Sequence, residues 1–135
     1  MGLSSSNDSR ISRGLVSKLQ RCLESTDKNP LIDTTIAHGN FTPWNTRVGT
    51  NFISVCDWGL TQREMPAGFD AFHFIIQGSI LLEHSSWHRI SHKLARLYEK
   101  NALMGSYSRE HQQFYLDLYL IINTVYYLDL YSRQS

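Results

Sequence analysis

Apolar residues recur along this chain with two different periods. Ile11, Leu15, Val16, Leu19 and Leu23 recur at helical spacing, which predicts an amphipathic helix over roughly residues 9–24. Pro30 forces Asn29 out of helical geometry, so residues 27–30 read as a turn. Residues 31–37 are short and partly β-branched, as in a strand leading up to His38. Residues 46–48 and 52–56 read as two further short strands, joined by a hairpin turn at Gly49-Thr50-Asn51. Asp57 then stands at a strand end, and Gly59 lets the chain turn sharply.

From Phe69 onward the period is helical. Residues 71–82 are mostly apolar and predict a central buried helix. Residues 85–100 predict a second, with Ser85 or Ser86 as N-cap. Ser108 opens a third, long helix. Ser108-Arg109-Glu110-His111 narrowly misses a capping box, because His stands where Glu or Gln belongs. The predicted order is helix, small β element, then three helices. The fold class is therefore α+β, mostly α.

Composition narrows this picture. The 135 residues suit one modest core, and 41% apolar with 19% charged residues reads as globular. Residues 1–8 are polar and serine-rich and read as a flexible N-terminus without the apolar core of a signal peptide; residues 9–135 form the domain. A net charge of +1 gives no footprint for nucleic acid or an anionic membrane. Residues 114–131 are long enough to span a bilayer. Asp117, Asp129, Asn123 and several tyrosines interrupt them, so a buried helix is expected and no membrane partner. Cys22 and Cys56 form no spacing motif and read as half-buried thiols in a reducing, cytoplasmic setting.

The chemistry concentrates in His38-Gly39-Asn40-Phe41-Thr42-Pro43-Trp44-Asn45, followed by Asp57-Trp58-Gly59. Kinase-like phosphotransferases carry loops of the form His-x-Asp-x-x-x-x-Asn, then a strand, then Asp-x-Gly. A carboxylate orients and deprotonates the acceptor hydroxyl, while an amide oxygen and a second carboxylate hold magnesium against the nucleotide phosphates. Asn45 and Asp57 are the candidate metal ligands. Position 40, where the base belongs, is Asn40.

This stretch resembles the aminoglycoside phosphotransferase and choline kinase family, over residues 36–75. His38-Gly39, Phe41, Pro43, Asn45, Asp57-Trp58 and Asp70 carry the resemblance. It implies the C-terminal lobe of a protein-kinase-like fold, with Mg2+ and ATP as cofactors and a small-molecule hydroxyl as acceptor. His38 would shape the loop, Asp70 would accept backbone hydrogen bonds, and Trp58 would pack beneath the metal loop. Asn40 breaks the pattern: an amide takes no proton at neutral pH, and losing a general base slows transfer by about 10² to 10⁴. Only 37 residues precede His38, with no glycine-rich loop or strand lysine among them. A C-terminal lobe without its N-terminal lobe is expected, with self-association through Phe41, Trp44 and Trp58. The alternative is a non-catalytic, pseudokinase-like interaction module.

Other candidates are weaker. His84, His88 and His92 at four-residue spacing could line one helix face, where two of them with a carboxylate could bind zinc, but Glu83 points to a different face and a packing or solvated face is the default. Arg89, Lys93, Arg96 and Lys100 make a basic stripe on the same helix, where a solvated face is the default and an anionic substrate the alternative. The tyrosines from Tyr115 to Tyr131 read as core and edge packing.

Overall fold

The computed structural model describes residues 13–25 and 31–133. The serine-rich stretch 1–8, the start of the first helix and the turn at 27–30 lie outside the described residues. The chain divides into two compact units, residues 1–32 with 120–135, and residues 33–119. The described part is α+β and mostly helical.

In the first unit, α1 runs Arg13–Ser25 with Lys18, Gln20, Arg21 and Glu24 exposed. Residues 120–133 form the second half of a long helix, α4 (Arg109–Arg133). Tyr127 contacts the rings of Tyr126 and Tyr131, and burial pushes its phenol above the ordinary value. Asp129 pairs with Arg133 one turn on at 2.8 Å. No described helix is long and apolar enough to cross a membrane.

The second unit holds β1 (Thr34–Ala37), β2 (Thr46–Val48), β3 (Ile53–Val55), β4 (Gln62–Pro66), α2 (Phe69–Leu81), α3 (Trp87–Glu99) and the first half of α4. β2 and β3 form the predicted hairpin, with Val48 opposite Ile53, and Gly49 N–H donates to the Phe52 carbonyl at 2.8 Å. β4 is absent from the sequence expectation. It pairs antiparallel with β1, Thr34 opposite Pro66 and Thr35 opposite Met65. An irregularity then carries the register to Ala37 opposite Gln62. Gln62, Arg63 and Glu64 are all exposed, so β4 shows no apolar alternation to read.

Helical spacing builds the core. Phe69, Phe72 and Ile76 of α2, Ile90 and Leu94 of α3, and Tyr115, Leu116 and Tyr119 of α4 are all buried, and the Phe69 and Phe72 rings meet Tyr119. Each such side chain contributes roughly 1.5–3 kcal/mol when fully buried. Phe69 meets Tyr119 edge-on at 5.1 Å. His73 stacks on Phe69, and its Nδ1 lies 3.2 Å from the Tyr119 hydroxyl. Burial holds the His73 imidazole below its ordinary pKa, against the opposing pull of the Asp70 carboxylate. The central-helix expectation holds only as far as Ser79: Ile80, Leu81 and Leu82 are exposed where α2 ends.

The loop between α3 and α4 is tied in from both sides. Gln112 Nε2 donates to the Met104 carbonyl at 3.0 Å and to the Tyr107 carbonyl at 2.8 Å. Tyr107 donates its hydroxyl to Asp33 Oδ2, and the Asp33 N–H donates to Tyr115 Oη. Ser108 does cap α4. Its Oγ accepts the His111 N–H at 3.3 Å, and His111 Nδ1 lies 3.3 Å from the same hydroxyl, not on the Ser108 backbone N–H that a Glu or Gln would take in a capping box.

Candidate functional site

The site begins where β1 runs out. Ala37 and His38 are buried, and Gly39 follows at φ +79°, left-handed territory that favours glycine. A Cβ at Gly39 would stand 2.3 Å from the Leu60 carbonyl oxygen, so the close approach of the two segments also requires glycine. Asp70, in the first turn of α2, accepts the His38 N–H at 2.7 Å and the Gly39 N–H at 3.0 Å. Its carboxylate thereby sets the path of the loop.

His38 closes the inner side. Its Nδ1 accepts the Asn40 N–H at 3.2 Å, which leaves Nε2 to donate to the Cys56 carbonyl at 3.0 Å. That pairing requires the Nε2–H tautomer. The loop then tightens into a 3-10 turn, Pro43–Asn45. The Thr42 carbonyl accepts both the Asn45 N–H and the Thr46 hydroxyl.

Asn45, buried, donates Nδ2 to the Asn40 carbonyl at 3.0 Å and accepts the Cys56 N–H at its own carbonyl. Asn40 donates Nδ2 to Asp57 Oδ2 at 2.8 Å. The five residues singled out by sequence, His38, Asn40, Asn45, Asp57 and Asp70, therefore stand in one hydrogen-bonded network. The sequence reading had not assigned roles to Gly39 or the Cys56 backbone. The left-handed glycine was visible as a motif letter, whereas the Cys56 carbonyl had no signal at all.

Several expectations need correction. The sharp turn falls on Asp57 (φ 65°, ψ 61°), not on Gly59, which lies inside a 3-10 turn. Aspartate tolerates the left-handed region better than most side chains, and this backbone presents the Asp57 carboxylate to Asn40. Trp58 meets the loop at His38 and is more open to solvent than a residue packed under it. Its indole packs against the His38 ring at 4.5 Å, donates Nε1 to the Val55 carbonyl and stays 58% exposed. Phe41 is half-buried against Phe74, because its ring finds a partner on α2. Cys56 is exposed and free, at the end of β3, and the Cys22 side chain lies outside the described residues.

The three histidines are exposed, as the solvated default has it, but they do not share one helix face. α3 starts at Trp87, so His84, at φ 50°, sits in the preceding loop and not on the helix. His88 and His92 alone meet, ring to ring at 4.7 Å. Glu83, also off the helix, pairs with Lys93 at 2.8 Å. Among the described residues, no three His, Cys, Asp or Glu side chains group as a metal site.

The donor set around Asn40 has a definite chemistry. Among the described residues, Asn45 Oδ1 and Asp57 Oδ1 have no hydrogen-bond partner, while their companion atoms are committed within the loop. Two hard oxygens of this kind suit magnesium, which keeps most of its shell as water and phosphate oxygens. No family model matches this chain, and neither a curated protein nor a solved structure matches it significantly.

Proposed function

We propose that this chain is a phosphotransferase-like lobe, related in plan to small-molecule kinases, whose loop is impaired at its base position. The observation that supports the reading is the orientation of Asn45. Its Nδ2 is spent on the Asn40 carbonyl, and among the described residues its Oδ1 has no partner, beside a chain segment that ends in Asp57. Asn45 Oδ1 and Asp57 Oδ1 would hold magnesium carrying ATP. Bound there, the cation would neutralise charge on the phosphoryl group being transferred. Asp70 and His38 keep the loop backbone in place through the bonds described above. Asn40 would orient the hydroxyl of a small-molecule acceptor through its Oδ1 but take no proton from it. Transfer by this chain is expected to stay near background.

The bond from Asn40 Nδ2 to Asp57 Oδ2 favours a second reading, a pseudokinase-like interaction module. It occupies one oxygen of the carboxylate that a working loop offers to the metal. Magnesium titration in the presence of ATP separates the two. The phosphotransferase reading expects weak, magnesium-dependent amide shifts confined to residues 38–45 and 56–58, and their loss in Asp57→Ala. Magnesium responses spread evenly over the surface, or unchanged in Asp57→Ala, would leave the interaction module standing. A phosphorylation assay over aminoglycosides, sugars and choline provides the complementary check. Turnover well above background would show that Asn40 does not limit the chemistry.

A further inference from the structure

α3 carries a second concentration of function-bearing side chains, independent of the loop. Arg89, Lys93, Arg96 and Lys100 recur every three or four residues and fall within about 60° of the helix circumference. With His92 and Leu97 they line a groove of about 300 Å³. The core side of the same helix is held by Ile90 and Leu94, so the basic side faces outward.

Composition does not impose this arrangement. The chain holds 13 Lys and Arg against 12 Asp and Glu, yet among the described residues this stripe meets one carboxylate. Glu83 takes Lys93 at 2.8 Å, and Ser79 Oγ accepts from the same Nζ at 3.1 Å. Lys93 is thereby fixed in the groove wall. Arg89, Arg96 and Lys100 have no ion-pair partner among the described residues. Like charges one turn apart repel. The helix dipole favours cations near the C-terminal end, which accounts for Arg96 and Lys100 but not for Arg89 or Lys93.

We propose that this groove binds a compact anion carrying two or more phosphate groups. The guanidinium forks of Arg89 and Arg96 match phosphate oxygens two at a time, and the lysines add point charges. The volume lies at the small end of ligand sites. The net charge of +1 disfavours a nucleic-acid backbone, which calls for a wider basic surface. The same chemistry is offered by a free polyphosphorylated molecule and by a lipid headgroup.

Calorimetric titration of the full chain with tripolyphosphate and with inositol hexakisphosphate at low salt tests the proposal. We expect saturable binding, weakened at least tenfold in Arg89→Glu/Arg96→Glu and weakened measurably in the milder Arg96→Gln. We expect less than a twofold change in Lys18→Glu/Arg63→Glu, which alters net charge equally at exposed positions elsewhere. Asn45→Ala should bind both anions as the parent does, which keeps this result separate from the loop. Vesicles of phosphatidylcholine with and without a bisphosphorylated phosphatidylinositol distinguish the sources. Capture by the phosphorylated vesicles points to the headgroup, and binding of the free anions alone points to a soluble ligand. Absence of binding to both free anions, or equal weakening in the two double variants, would overturn the site.

Discussion

At His38 and Gly39 two consecutive N–H groups converge on the Asp70 carboxylate at 2.7 and 3.0 Å. Hydrogen bonds to a charged acceptor contribute about 1.5–3 kcal/mol each. Asp70→Ala should therefore lower the unfolding free energy by about 3 kcal/mol in urea titrations, and Asp70→Asn, which keeps one acceptor oxygen, by about half as much. Equal, negligible losses in both would mean the loop holds its path without that carboxylate. His73 gives a pH signature. Its imidazole is held below the ordinary value of 6.5 by burial, so the unfolded chain takes up the proton first. Stability should be full above about pH 6.5 and fall as pH drops below it, by at most about 1.4 kcal/mol per pH unit. Urea midpoints between pH 7.5 and 5 should show this slope in the parent and a shallower one in His73→Phe.

Gln112 plays for the α3–α4 loop the part that Asp70 plays for the site. It is buried and serves the Met104 and Tyr107 carbonyls with one Nε2. Gln112→Leu should leave both carbonyls unserved and cost about 2 kcal/mol, read by thermal or urea unfolding. Such long-distance ties explain what the sequence could and could not disclose. α2, α3 and the β2–β3 hairpin were legible because apolar period and turn residues are local. β4 was not, since Gln62-Arg63-Glu64 shows no alternation and its partner β1 lies on the other side of the hairpin. The turn was misplaced by two residues because glycine is the usual reason for a left-handed backbone, whereas Asp57 adopts it here. Within the site, the spacing of His38, Asn40, Asn45 and Asp57 was readable along the chain. Asp70, 32 residues from His38, entered only through family resemblance, because no local pattern marks a carboxylate that serves a distant backbone.

At the scale of the molecule, the small β elements leave apolar side chains uncovered. Val48 and Ile53, directly opposite one another, are 78% and 67% exposed, and Phe52 beside them is 65% exposed. The sequence had pointed to Phe41, Trp44 and Trp58 for this role, yet the hairpin exposes more. Uncovered apolar patches above a few hundred Å² tend to associate. Sedimentation should show concentration-dependent self-association that Ile53→Lys reduces; a clean monomer at high concentration in the parent would contradict it. One bond in the loop bears on a different matter, the resting state of the molecule. In Asn40 Nδ2–Asp57 Oδ2 the carboxylate already faces the positive end of a neutral dipole. The loop thus carries its own stand-in for a cation and should keep its shape in ion-free solution. A carboxylate at position 40 would turn that contact into two facing anions, and order would then have to be imported with an ion. The single amide makes the fold of this loop self-sufficient, and chelators should pass it by unnoticed.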